Sequence, residues 1–294
     1  MKTPVFTGSS VAIATPFSAN GVNLPRLGEF IDFQVENGTA ALIICGTTGE
    51  GSTQSLEEHI ETVDFSVKHA AGRVKIVAGC GSNDTQAALY LSKEAQKSGA
   101  DALLLVTPYY NKANQQGLIQ HYTYIADRVD TPIILYNVPS RTGLSFTAET
   151  YKALSAHPMI NGTKEASGDF SLVAATRAAC GDDLYIWSGN DDQTVAMMAL
   201  GAVGLVSVAA NILPRQMADM CEKALIGDFK AAAALQFKYA NLFSALFMDV
   251  SPIPVKTAMN LMGMDVGKLR MPLCDMAPEN LEKLKAILAA KGLV

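Results

Sequence analysis

The chain has few of the features that assign a function at a glance. Its five cysteines (Cys45, Cys80, Cys180, Cys221, Cys274) include no C-x-x-C pair. An odd count without a spacing pattern argues against a disulfide framework and suggests reduced thiols in a reducing compartment. Cys45 and Cys80 sit in apolar runs and are expected in the core. The four histidines, His59, His69, His121 and His157, fall on helical segments or their ends without ligand spacing, so no metal is expected. Lysine and arginine never cluster, and the formal net charge is -5, so nucleic acid is not an expected partner. No apolar run follows Met1-Lys2-Thr3-Pro4, so no secretory signal is expected. No G-x-G-x-x-G follows the first strand, and G-x-S-x-G and a phosphate-binding loop are absent too. Dinucleotide, serine-hydrolase and nucleotide-hydrolase readings therefore lack their motif. One uncharged stretch, Ala196 to Leu213, approaches bilayer length. It contains Gly201, Gly204, Ser207 and Asn211, and reads better as a helix end followed by a buried strand over Ala202 to Ala209.

What is present is apolar and alternating. The 294 residues are 49% hydrophobic, enough for a large core. Short apolar runs alternate with helical patterns. Strands are predicted over Ser10 to Phe17, Ala40 to Cys45, Lys75 to Gly81, Ala102 to Thr107, Pro132 to Tyr136, the segment around Lys164, Leu184 to Trp187, and Val203 to Val208. Helices are predicted between and after them. The clearest starts at Ser55, with Glu58 three residues on as a capping box. Eight such strand–helix units within the first 225 residues fit a closed (β/α)8 barrel better than a doubly wound open sheet. The expected organisation is a catalytic barrel over residues 1–225 and a helical C-terminal region over 226–294. There, Phe229 to Val250 is apolar almost all round and is expected to pack against other helices or a second subunit.

In such a barrel the loops after the strands form the active face. The polar residues just after the strands are Thr47, Thr48, Tyr109, Tyr110, Tyr136, Asn137, Arg141, Lys164, Gly189 and Asn190. Lys164 stands on the sixth strand. A lysine carried into an apolar interior loses preference for its charged form, and a neutral amine attacks carbonyls to form a Schiff base. Taken alone, a solvated charge is the more ordinary reading of such a lysine. Tyr136 ends the neighbouring strand and could move protons; it could also be a rim aromatic. Thr47 could relay a proton while backbone N–H groups around Thr48 hold a carboxylate, or Gly49 could serve only a tight turn. Arg141 could clamp a carboxylate bidentately, or be a plain surface charge. The pair Asp191-Asp192 has no histidine beside it, and Asp192 is read as a helix cap.

Five motifs in order along the chain carry a resemblance. They are Gly46-Thr47-Thr48-Gly49-Glu50, Tyr109-Tyr110-Asn111, Tyr136-Asn137-Val138-Pro139-Ser140-Arg141-Thr142-Gly143, Lys164-Glu165-Ala166-Ser167-Gly168 and Ser188-Gly189-Asn190-Asp191. Together they resemble the dihydrodipicolinate synthase family of pyruvate-dependent class I aldolases and lyases. The resemblance implies a lyase that condenses pyruvate with L-aspartate 4-semialdehyde in lysine biosynthesis, without a cofactor. It implies that Lys164 forms the Schiff base and Tyr136 donates and accepts protons. Thr47 would link Tyr136 to Tyr110 of a neighbouring subunit, Thr48 would hold the pyruvate carboxylate, and Arg141 that of the semialdehyde. Gly189 and Val206 would line the pocket. A cytoplasmic homotetramer, a dimer of dimers, is implied as well.

Arg141 separates this reading from N-acetylneuraminate lyases and 2-keto-3-deoxy sugar acid aldolases, which share the lysine and tyrosine. A non-catalytic keto-acid-binding barrel is a third reading, disfavoured because lysine, tyrosine, threonine and arginine occur together. Lysine-inhibited family members carry a histidine and a glutamate at positions that here are Leu56 and Ala87, so weak or absent lysine feedback is expected. His59, Asn83 and Tyr109 remain.

Overall fold

A computed structural model describes residues 2–294. Eight parallel strands close into a barrel: β1 (Gly8–Ala12), β2 (Ala41–Ile44), β3 (Lys75–Gly79), β4 (Ala102–Val106), β5 (Ile133–Asn137), β6 (Ile160–Glu165), β7 (Tyr185–Ser188) and β8 (Gly204–Ser207). Each strand pairs with its sequence neighbour, and β8 closes on β1 from Gly8↔Gly204 to Val11↔Ser207. Eight helices follow the strands: α1 (Leu24–Glu36), α2 (Leu56–Ala70), α3 (Thr85–Ser98), α4 (Gln115–Ala126), α5 (Ala148–Ser155), α6 (Phe170–Cys180), α7 (Thr194–Ala199) and α8 (Pro214–Leu225). Three more, α9 (Phe229–Ala245), α10 (Ile253–Leu261) and α11 (Pro278–Ala290), form the C-terminal region.

Strand side chains alternate between two faces, and each face has its own core. Ala12, Ile43, Val77, Leu104, Ile134, Tyr136, Trp187 and Val206 fill the barrel. Val11, Leu42, Ile76, Leu103, Leu135, Ile186 and Leu205 point out and pack under the helices. Strands buried on both faces read as continuous apolar runs, which is why the sequence shows them so plainly. Cys45 and Cys80 are buried as expected, and burial pushes the Cys80 thiol up to about 12. Ser55 and Glu58 form the predicted capping box at the start of α2. The uncharged stretch from Ala196 divides into the end of α7 and β8, and no helix among the described residues is long and apolar enough to cross a membrane.

Three boundaries differ from the sequence reading. The first strand is Gly8–Ala12, not Ser10 to Phe17, because Phe17–Ser18 leaves the barrel and pairs antiparallel with Gly21–Val22. The long apolar helix ends at Ala245 and not Val250. Phe247 and Met248 donate to Ser244 O and Ala245 O, so the last turn tightens and the chain leaves the helix. Asp192 is not a cap: α7 starts at Thr194 after Gln193, with no side-chain cap, while the neighbouring Asp191 is buried under β8.

The lysine strand has little room beneath it. A Cβ on Gly162 would meet Tyr185 O at 2.3 Å and Trp187 Cζ3 at 2.5 Å. Trp187, fully buried, packs at a tilt against Phe6 with ring centroids 5.0 Å apart and fills the barrel floor. Gly162→Ala is expected to lower stability by about 1–3 kcal/mol through overpacking, read as a lower denaturant midpoint. An unchanged midpoint would show that β6 and β7 yield freely here.

Candidate active site

The register of two strands sets the centre of the site. β5 and β6 pair so that Tyr136 lies opposite Lys164 and Asn137 opposite Glu165. The first pair faces the barrel interior and the second faces the helices. Lys164 is buried, with 6% exposure, and its Nζ lies 4.3 Å from the centroid of the Tyr136 ring. Among the described residues no carboxylate stands within ion-pair distance of it, whereas the other buried lysine, Lys256, has one.

Glu165 stands behind the lysine. Its oxygens accept from Asn137 Nδ2 (3.0 Å each), the Tyr151 hydroxyl of α5 (2.9 Å) and the Ser167 N–H (2.8 Å). Burial pushes its carboxyl above the usual carboxylate range, against these bonds, which pull it down. Glu165 therefore fixes the ends of β5 and β6 from outside the barrel. Gly189 fixes the spacing on the other side: a Cβ there would meet Ala166 Cβ at 2.6 Å and Lys164 Cε at 3.2 Å. Only glycine leaves the lysine stem its place.

The turn after β2 supplies an anion cradle. Glu50 N–H donates to Thr47 O (3.1 Å) and Gly51 N–H to Gly46 O (3.2 Å). Among the described residues, the N–H groups of Thr47 and Thr48 find no protein acceptor. Thr48 is buried, and an unpaired buried N–H is costly unless a ligand takes it. Glu50 holds this turn in a left-handed conformation (φ 51°). Its buried carboxylate accepts from Lys256 Nζ (2.8 Å) and Arg270 N–H (2.9 Å). Lys256 also donates to Thr15 O and Lys268 O. Burial pulls the Lys256 ammonium down, while Glu50 raises it. This pair locks the turn to α10 and was not foreseen. The available signal was a lysine inside the otherwise uncharged segment Ile253 to Met259.

A cavity of about 550 Å³ opens over the strand ends. Thr47, Thr48, Tyr136, Arg141, Lys164 and Gly189 all line it, as the sequence reading proposed. Arg141 projects from a one-turn helix, Pro139–Thr142, and its Nη2 donates to Ser251 O (3.1 Å). Two proposed residues lie elsewhere. Val206 packs inside the barrel and Val208 lines the cavity instead. Tyr110 is 91% exposed at φ 70° and is not part of the cavity wall in this chain. The C-terminal region adds Phe247, Asp249, Val250 and Ser251, none of them foreseen. Asn190 lines the cavity while Asp191 supports it from below, accepting from the Ser207 hydroxyl and the N–H groups of Val208 and Ala209. Burial raises the Asp191 carboxyl. No group of histidine, cysteine, aspartate and glutamate among the described residues is placed to hold a metal.

A single buried amine without a counter-ion, an aromatic hydroxyl on the next strand, open N–H groups and an arginine suit covalent capture of a small keto acid. The model of the dihydrodipicolinate synthetase family matches residues 5–291. The chain belongs to this family. A curated relative from Thermoanaerobacter sp. (strain X514), a 4-hydroxy-tetrahydrodipicolinate synthase, is 51% identical over 99% of this chain and 98% of its own length. The dihydrodipicolinate synthase structure from Aquifex aeolicus is 42% identical, with a TM-score of 0.96 over 98% of this chain and 99% of that one. The enzyme from Cyanidioschyzon merolae, solved with lysine bound, is 36% identical with a TM-score of 0.96 over 99% of this chain and all (100%) of that one.

The Glu50–Lys256 pair gives a direct test of this frame. Lys256→Met, which strands a buried carboxylate, should cost about 3–5 kcal/mol, and Glu50→Gln in the same chain should restore part of it. Equilibrium unfolding reads both. A single-variant cost within ~1 kcal/mol would show the pair is not desolvated as described.

Proposed function

We propose that the chain is a lyase that condenses pyruvate with L-aspartate 4-semialdehyde to give 4-hydroxy-tetrahydrodipicolinate, in the lysine (diaminopimelate) pathway. The observation that carries this is the buried, unpaired Lys164 beside Tyr136 in the same mouth as Arg141. Family membership supports it.

The chemistry follows from those groups. The Lys164 amine attacks the ketone carbon of pyruvate, whose carboxylate takes the open N–H groups at Thr48. Tyr136 supplies the proton with which the carbinolamine hydroxyl leaves as water. The resulting iminium loses a methyl proton and becomes an enamine. Its methylene carbon attacks the aldehyde carbon, and the new alkoxide is protonated. The α-ammonium of the bound semialdehyde then loses a proton and, as the free amine, attacks the iminium carbon and expels the Lys164 amine, which closes the ring. One water is lost overall. Arg141 binds the semialdehyde carboxylate as a charge-assisted pair, and Gly189 keeps the wall beside Lys164 open; Val206 supports that wall from within the barrel.

Thr47 relays protons from Tyr136 to Tyr110 of a neighbouring subunit. The exposed ring of Tyr110, held at positive φ, supports this, because a bulky residue in that conformation needs an external reason. The working form is then a homotetramer in the cytoplasm, with no cofactor, nucleic acid or membrane partner. Feedback is a separate matter. Leu56 is half-exposed at the start of α2, and Ala87 lies on α3. Neither offers a charge to an ammonium or carboxylate.

A coupled assay should show pyruvate-dependent consumption of aspartate semialdehyde. Lys164→Ala should lower kcat by at least about a thousandfold, since among the described residues no other buried amine is free to form the intermediate. Arg141→Ala should chiefly raise KM for the semialdehyde. Turnover surviving Lys164→Ala would refute the Schiff-base route. In the same assay a lysine titration should leave activity standing; inhibition at micromolar lysine would contradict the reading of Leu56 and Ala87.

A further inference from the structure

The substrate assigned above carries a carboxylate and an ammonium on one carbon, and recognising both takes a cation and an anion side by side. The cavity wall offers two basic side chains, Lys164 and Arg141, and one acidic one, Asp249. Lys164 is consumed by the keto acid and Arg141 faces a carboxylate, which leaves Asp249 opposite the remaining positive charge. We propose that Asp249 receives the α-ammonium of the aldehyde substrate and makes the site selective for an amino aldehyde over its deamino counterpart. The inference rests on the functional reading given above.

Other acids near the site are already committed. Glu50 is paired with Lys256, and Glu165 faces outward to Asn137 and Tyr151. Asp191 is buried with both oxygens occupied by Ser207, Val208 and Ala209. Asp192 opens on a neighbouring cavity. Asp249 is half-buried, and its oxygens accept from Val250 N–H (2.8 Å) and Ala277 N–H (3.4 Å). Each carboxylate oxygen keeps further acceptor capacity, so these bonds orient the group without saturating it. Arg141 is tied to the same loop through Ser251 O at 3.1 Å. The two charges that the substrate needs are therefore carried on elements bonded to each other. Asp249 is half-buried, so its charge is less screened by salt than that of a fully exposed carboxylate.

The test compares aspartate semialdehyde, as substrate, with succinate semialdehyde, which lacks the amino group, as a competing ligand. Asp249→Asn should raise KM for aspartate semialdehyde about tenfold or more, as expected for a lost charge-assisted bond. The inhibition constant of succinate semialdehyde should stay within about twofold, and the borohydride-trapped pyruvate adduct should still form. Asp249→Glu should recover part of the loss. Equal weakening toward both aldehydes would mean that Asp249 only holds its loop and would overturn the inference, as would a KM change below about twofold. A wild-type chain that traps no pyruvate would overturn the functional reading together with this one. A competent wild type whose Asn variant discriminates as well as before would overturn this one alone.

Discussion

Closing eight parallel strands into a ring confines every inward side chain to a packed interior with two ends. That constraint gives Lys164 its character. Its strand neighbour in the register is Tyr136, Gly162 lies beneath it, and Trp187 fills the floor. The stem is buried and the amine reaches the mouth without meeting a carboxylate. A shift of one residue in the β5–β6 register would turn Lys164 toward the helices and bring Glu165 inward, reversing the charge of the site. Asn137, Tyr151 and Ser167 pin Glu165 on the outer face. They guard that register.

The C-terminal helices are part of the site. Lys256 on α10 reaches back to Glu50 and fixes the turn that carries Thr47 and Thr48. Arg270 continues the tie to Glu58 on α2. The loop between α9 and α10 carries Asp249 and Ser251 into the cavity wall. Buried ion pairs contribute little net stability but are costly to break. Here the pair holds two distant chain segments in one geometry, and the anion cradle depends on it.

Much of this was legible before the structure. Parallel strands buried on both faces, such as Ala41–Ile44 and Ala102–Val106, announce themselves as uninterrupted apolar runs. Their polar C-terminal neighbours converge on one mouth by the geometry of the fold, so Thr48, Tyr136, Arg141 and Lys164 could be named together. Residues supplied by long-range contact could not. Asp249 follows a helix that the apolar pattern extends to Val250, because an apolar surface alone does not mark where a helix unwinds. Lys256 reads as an ordinary charge until Glu50 is seen beside it. Asp191 and Asp192 are adjacent acids with opposite fates, and only the path of β8 decides which is buried. Val206 and Val208 show the limit of strand alternation: Val206 points into the barrel from β8, whereas Val208 lies past the strand end with a helical backbone, packs with the outer core and lines the cavity.

The whole reaction depends on one amine capturing a keto acid. Incubation with pyruvate, reduction with borohydride and peptide mapping by mass spectrometry would test that most directly. One pyruvate-derived adduct per chain is expected, on the peptide that contains Lys164, and none on Lys256. An adduct on another lysine, or no adduct at all, would contradict it.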